Sequence, residues 1–160
     1  MINKNLILFF FLAFNISWSQ NNMDIKGFLS ILGEKSFLKF CIESGYQYVG
    51  TNNEEIMYAY NPIDSSSENV QSIAYFNQKT GVIKLVIPNP FESNKANSNV
   101  YNRMKNFIEQ NCGYEMVLNN SNKTRSPSIV YNCPFSNNFQ YVEIFTNTVK
   151  NEKVAYFKTF

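Results

Sequence analysis

The sequence predicts an α+β fold: a tandem α-β-β-β-β repeat forming one largely antiparallel sheet with helices packed on one face. Three observations lead there. Gly45-Tyr46 and Gly113-Tyr114 lie 68 positions apart, each after a helix-like tail and before a strand-like run (FCIESGYQYVGTN at 40–52, FIEQNCGYEMVLNN at 107–120). Ala59-Tyr60-Asn61-Pro62 echoes Val130-Tyr131-Asn132-Cys133-Pro134, and the order of predicted elements recurs around both pairs. Each half, about 24–88 and 95–160, would be marginal alone, because so short a chain buries too little of its surface. The two halves are therefore expected to share one core in a single domain spanning 20–160.

The elements follow in order. Ile25, Phe28, Leu29 and Leu32 recur at helical spacing, so 24–32 reads as a helix capped by Asp24 and interrupted at Gly33. Ser36 is the expected cap of a second helix, which carries Phe37, Phe40 and Cys41 on one face and ends at Gly45 in a left-handed conformation. Four strands are expected near 46–50, 55–61, 71–77 and 82–87. The last two are joined by the Gly-ended turn Asn77-Gln78-Lys79-Thr80-Gly81, and a polar loop, 64–69, separates the second strand from the third. Pro88 and Pro90 close the first half. Residues 94–99 read as a polar leader to a helix with Val100, Met104, Phe107 and Ile108 as its apolar stripe and Gly113 at its end. Strands are then expected near 114–118, 128–132, 139–147 and 153–158, the last pair turning through 149–152. This tandem order is similar to the helix-on-sheet arrangement of β-lactamase-inhibitor-like and PepSY-like modules. The resemblance is topological, with no shared motif, so it implies a layered fold and no activity.

Residues 1–19 have the pattern of a cleaved signal peptide. Lys4 precedes nine apolar residues, Leu6 to Phe14, and Ser17 and Ser19 are the small residues a signal peptidase accepts, which places the mature start at Gln20. The apolar run is short of the roughly 20 residues a spanning helix needs, and no later run is longer, so no membrane span is expected after cleavage. The expected location is periplasmic or secreted. Loss of Lys4 leaves the mature chain with a net charge of +1, too weak a field to suggest nucleic acid or an anionic membrane as partner. The chain holds 25 Asn, 15 Phe and 10 Tyr, a bias of the kind AT-rich, most simply bacterial, genomes encode.

Export makes a disulfide the expected state of two of the three cysteines. The candidate pairs are Cys41–Cys112, Cys41–Cys133 and Cys112–Cys133. The last is preferred, because Cys112 ends a helix and Cys133 ends the second strand of the same repeat, which brings both to one edge of the layer. Cys41, on the apolar helix stripe, then reads as a buried free thiol.

Several chemistries are disfavoured. The chain has no His, which removes the commonest general base and the Ser-His and Cys-His pairs. No GxxxxGKS, GxGxxG or GxSxG motif and no CxxC pair is present, so neither a cofactor nor a metal is expected. Residues 64–68 lack the spacing of a calcium loop, and the sequons at Asn119 and Asn122 mark exposed chain. Glu54-Glu55 reads as a solvated hairpin turn. Glu115 and Glu143 fall in strands and could serve a hydrolase if they shared a face at the right separation; the ordinary alternative is sheet decoration with Lys84 or Lys158 as cross-strand partners.

Strand alternation then sorts the outer face of the sheet. With Met116 and Leu118 taken as facing the helices, Glu115 and Val117 face outward, as does Gln47. Lys84, Tyr141, Glu143, Phe145, Tyr156 and Lys158 join them; Tyr58, Tyr60 and Tyr131 are weaker candidates. Such a Tyr-rich, lightly charged surface suits contact with a protein or glycan, because Tyr offers large area at small entropic cost, and the expected partner is a protein or small ligand of the envelope. The leading expectation is an exported, non-catalytic binding module using this face or the loops at 62–70 and 119–127. The alternatives are a hydrolase built on Glu115 and Glu143, or a structural component of the cell envelope.

Overall fold

The computed structural model describes residues 24–60, 70–92, 96–119, 125–134 and 140–160. The expected signal peptide, the loop at 62–70 except its last residue, and most of the loop at 119–127 lie outside the described residues. Among the described residues three helices, α1 (Ile25–Leu29), α2 (Glu34–Glu43) and α3 (Ala96–Asn111), accompany eight strands. These are β1 (Gln47–Asn52), β2 (Glu55–Tyr60), β3 (Ser72–Asn77), β4 (Ile83–Pro88), β5 (Gly113–Leu118), β6 (Ser128–Cys133), β7 (Gln140–Val149) and β8 (Glu152–Thr159). Every neighbouring pair is antiparallel, in one sheet ordered β1-β2-β3-β4-β8-β7-β6-β5. Counted within each unit, the strands run first to fourth and then fourth to first. Two α-β-β-β-β units join through β4 and β8, so neither half has to close a core by itself.

Local chemistry sets the boundaries. Asp24 caps α1, its Oδ1 accepting from the Gly27 N–H at 2.8 Å. The expected cap of α2, Ser36, lies inside the helix instead. Gly33, at φ 95°, takes the N-cap position, a conformation that favours glycine. The Ser36 hydroxyl accepts from the Leu32 N–H at 2.9 Å and donates to the Gly33 carbonyl at 3.0 Å, which stiffens this corner. Gly45 ends α2 at φ 77° as anticipated. Helix α3 starts at Ala96, inside the stretch read as a polar leader, because a first helical turn needs no apolar stripe. Asn53 and Glu54, like Lys150 and Asn151, hold positive φ in two-residue hairpin turns, and Glu55 belongs to β2 rather than to its turn.

The core lies between the helices and one face of the sheet. Phe28, Leu29, Phe37 and Cys41 from α1 and α2, and Met104 and Ile108 from α3, are fully buried with Leu85, Ile87, Val142 and Phe157 from the strands. Residues paired across strands share a face. The row Tyr48, Tyr58, Ala74, Leu85, Phe157, Ile144, Ile129 and Val117 therefore runs under the helices from one edge to the other. Tyr58 and Tyr60 contact this core, and Tyr131 is buried in it, so none of the three belongs to the outer face.

The disulfide is Cys112–Cys133, with Cα atoms 4.4 Å apart. Cys41 is free and buried, and burial pushes its thiol up to about 12. It is therefore a packing side chain rather than a thiolate nucleophile at neutral pH.

Candidate functional site

The site is built from residues that alternate with the core positions. On β7, Val142 and Ile144 point into the core, so Tyr141, Glu143 and Phe145 stand on the opposite face, where no described helix packs. On β8 the same rule places Tyr156 and Lys158 there, and on β4 it places Lys84. Cross-strand pairing assembles them: Lys84 opposes Lys158, Lys158 opposes Glu143, and Tyr156 opposes Phe145.

Glu143 is the centre of this face. It is 5% exposed, although it lies on the side opposite the described helices. Its carboxylate is bracketed by Arg125, which bonds Oε1, and by Lys158, whose Nζ is 3.5 Å from Oε2. Arg125 enters from the segment that precedes β6, where it bridges Asn147, and its guanidinium also donates to the Ser128 hydroxyl at 3.0 Å. The guanidinium carbon lies 3.7 Å from the centre of the Phe145 ring. That ring stacks on Tyr156 at 4.7 Å with the planes 5° apart. A planar cation, two aromatic planes and a buried carboxylate thus form one continuous cluster.

A second group lies across β4. Lys84 Nζ sits 2.6 Å from Glu55 Oε1 and 5.2 Å from the centre of the Tyr75 ring. Lys84 and Lys158 are like charges directly opposite one another, an arrangement that costs free energy by itself. Each lysine is offset by its own glutamate, so the face reads Glu55, Lys84, Lys158, Glu143, Arg125 in sequence across the sheet. Burial raises the phenols of Tyr75 and Tyr156 above their ordinary value, with the neighbouring Tyr156 and Glu55 adding to the effect at Tyr75. Both are neutral hydroxyls at physiological pH, able to donate or accept.

Glu115 lies at an irregularity in β5. A bulge between Tyr114 and Met116 leaves it without a partner in β6, and beyond the bulge the alternation is reversed. Met116 pairs with Val130, which pairs with Glu143, so Met116 and Leu118 stand on the helix-free side. Val117 pairs with Ile129 and stands on the helix side. The expected orientation is therefore inverted at all three positions. The cause is one inserted residue, which shifts every later side chain to the other face. Glu115 and Glu143 stand on strands separated by β6, and the Glu143 carboxylate is engaged by two cations.

Sequence reasoning missed Arg125. It lies in the loop at 119–127, a candidate binding segment as a whole, but no spacing signal singles it out or connects it to Glu143. Among the described residues no group of His, Cys, Asp and Glu could hold a metal ion. No described helix is long and apolar enough to cross a membrane. No family model matches the sequence, no curated protein matches it, and no solved structure matches the chain, so the topological resemblance noted above gains no support.

Proposed function

We propose that this chain is an exported, non-catalytic binding module that takes a protein or small ligand on the helix-free face of its sheet. The observation that carries the reading is the Arg125–Phe145–Tyr156 stack against the buried Glu143. Flat aromatic and guanidinium surfaces, held rigid by ion pairs, offer contact area whose ordering cost is already met. Export is supported by the amino-terminal pattern and by the Cys112–Cys133 bridge, a bond that persists in oxidising compartments.

Two measurements test it. The chain produced with its own first nineteen residues in a bacterial host is expected to be recovered from the envelope with an intact mass that begins at Gln20; recovery from the cytosol with Met1 in place overturns export. Immobilised protein is expected to retain a component of native envelope extract, and Tyr156→Ala is expected to lower that retention at least tenfold. Equal retention by the variant moves the binding surface away from this face.

A further inference from the structure

The two edges of the sheet are built differently, and the difference points to a second interaction surface. Strand β1 forms one edge. Its bulge falls in the middle, between Tyr48 and Gly50, at the exposed Val49, and its remaining positions include Gln47, Thr51 and Asn52. Tyr48 is already engaged by its own chain, its ring 5.5 Å from that of Tyr58 and its hydroxyl 3.1 Å from Thr51 Oγ1. Bulges and polar side chains are the devices by which edge strands resist pairing.

Strand β5 forms the other edge and lacks most of these devices. All six of its residues are exposed. Its bulge lies near its start, which leaves Met116, Val117 and Leu118 in regular register with β6. These three are 45%, 46% and 42% exposed, with Met116 and Leu118 on one face of the sheet and Val117 on the other. A half-solvated edge strand ordinarily alternates apolar and polar residues, whereas a run apolar on both faces is the pattern of a strand with neighbours on both sides. The one charge in β5, Glu115, stands at the bulge and outside the regular run.

We propose that β5 pairs antiparallel with β5 of a second copy of this chain, around a twofold axis near Val117. An antiparallel pair of identical strands is self-complementary, so the contact closes at two copies. In that register Met116 opposes Leu118 of the second copy, and each Glu115 lies beyond the run rather than opposite its equivalent. No like charges meet across the seam, which distinguishes this occupant from an acidic extended peptide laid beside Glu115. The β1 edge, whose mid-strand bulge leaves no run of three apolar residues in regular register, stays free, so the assembly does not propagate. The two helix-free faces become one continuous surface. A six-residue seam is much smaller than a standard interface of about 1,600 Å², so the dimer is concentration-dependent.

Sedimentation equilibrium of the purified chain from about 1 μM to about 1 mM tests this over the range in which so small a seam would associate. The expected mass rises from that of one chain to twice that value. Val117→Lys is expected to hold the mass at one chain throughout, and Val49→Lys, the same change on the other edge, is expected to leave dimerisation unchanged. Val117 is half-exposed, so its replacement leaves the core intact, and circular dichroism verifies this. Val117→Cys gives an independent readout: an interchain disulfide forming above the dimerisation concentration and absent below it. A single-chain mass at every concentration, equal loss from the two lysine variants, masses growing beyond two chains, or no crosslink from Val117→Cys each overturns the proposal.

Discussion

The two halves share one topology and each sets a helix ring against the sheet, Phe37 on Tyr58 and Phe76 in the first and Tyr101 on Phe157 in the second, but they differ in what is added to that contact. In the first half the closure is aromatic. Phe37 of α2 meets Tyr58 edge-on at 5.9 Å and stacks on Phe76 at 5.5 Å. Phe40 meets Tyr46, and Tyr46 meets Tyr60, so rings from helix, connection and strand form a continuous layer. The buried Tyr46 hydroxyl is satisfied by Ser72 at 2.7 Å, and burial raises its phenol far above the ordinary value. In the second half the end of α3 is bonded covalently to β6 through Cys112–Cys133. The equivalent of Cys112, Ser44, has no such bridge. Where Gly45 turns left-handed to leave α2, Gly113 passes directly into β5. The disulfide restricts that exit in place of a left-handed cap. The comparison teaches that a repeat conserves the path of the chain while the interaction that closes each copy is free to differ.

The largest effect is expected from Phe37→Ala. It removes a fully buried ring and two aromatic contacts, and is expected to cost about 4 kcal/mol in denaturant unfolding. Hydrogen exchange in that variant should rise first in α2, β2 and β3. A loss spread evenly over both halves would show that the aromatic layer is not local to the first. Next comes replacement of Cys112 and Cys133 together by Ser. Opening a bridge across 21 positions is expected to cost about 3 kcal/mol, on the chain-entropy account, with exchange rising first in β5 and β6. An unchanged unfolding midpoint would remove the covalent closure from the comparison. The smallest effect concerns the helix-free face. Glu143→Gln keeps the shape of the side chain but leaves Arg125 and Lys158 without their shared anion. Both cations are partly exposed, so the expected cost is about 2 kcal/mol, below that of breaking a fully buried pair. Such a loss should shrink in high salt for the part carried by Lys158, the more exposed cation.

Most of the fold was legible from local signals. The caps at Asp24 and Gly45, the Asn77–Gly81 turn and the helical spacing of Phe37, Phe40 and Cys41 all act within a few residues, and the structure keeps each. The disulfide was legible because the repeat placed two helix and strand ends on one edge. Face assignment was legible wherever alternation is unbroken, which includes Lys84, Tyr141, Glu143, Phe145, Tyr156 and Lys158. It failed at Met116, Val117 and Leu118, because a single-residue bulge leaves no clear mark in composition and inverts everything after it. Ser36 failed for a related reason: Gly33 offered the chain an earlier start to the helix.

Periodicity, turn chemistry and the doubled Gly-Tyr pattern by themselves determined the class of fold, the count of strands and the pairing of the cysteines, because each depends on neighbours along the chain or on its two similar halves. The tertiary structure alone decided that Arg125 reaches Glu143, that Met116, Val117 and Leu118 change face, and that the bulge falls in the middle of β1 but near the start of β5. Those outcomes depend on register between strands distant in sequence, and register is set by the packing of the whole sheet rather than by any one segment.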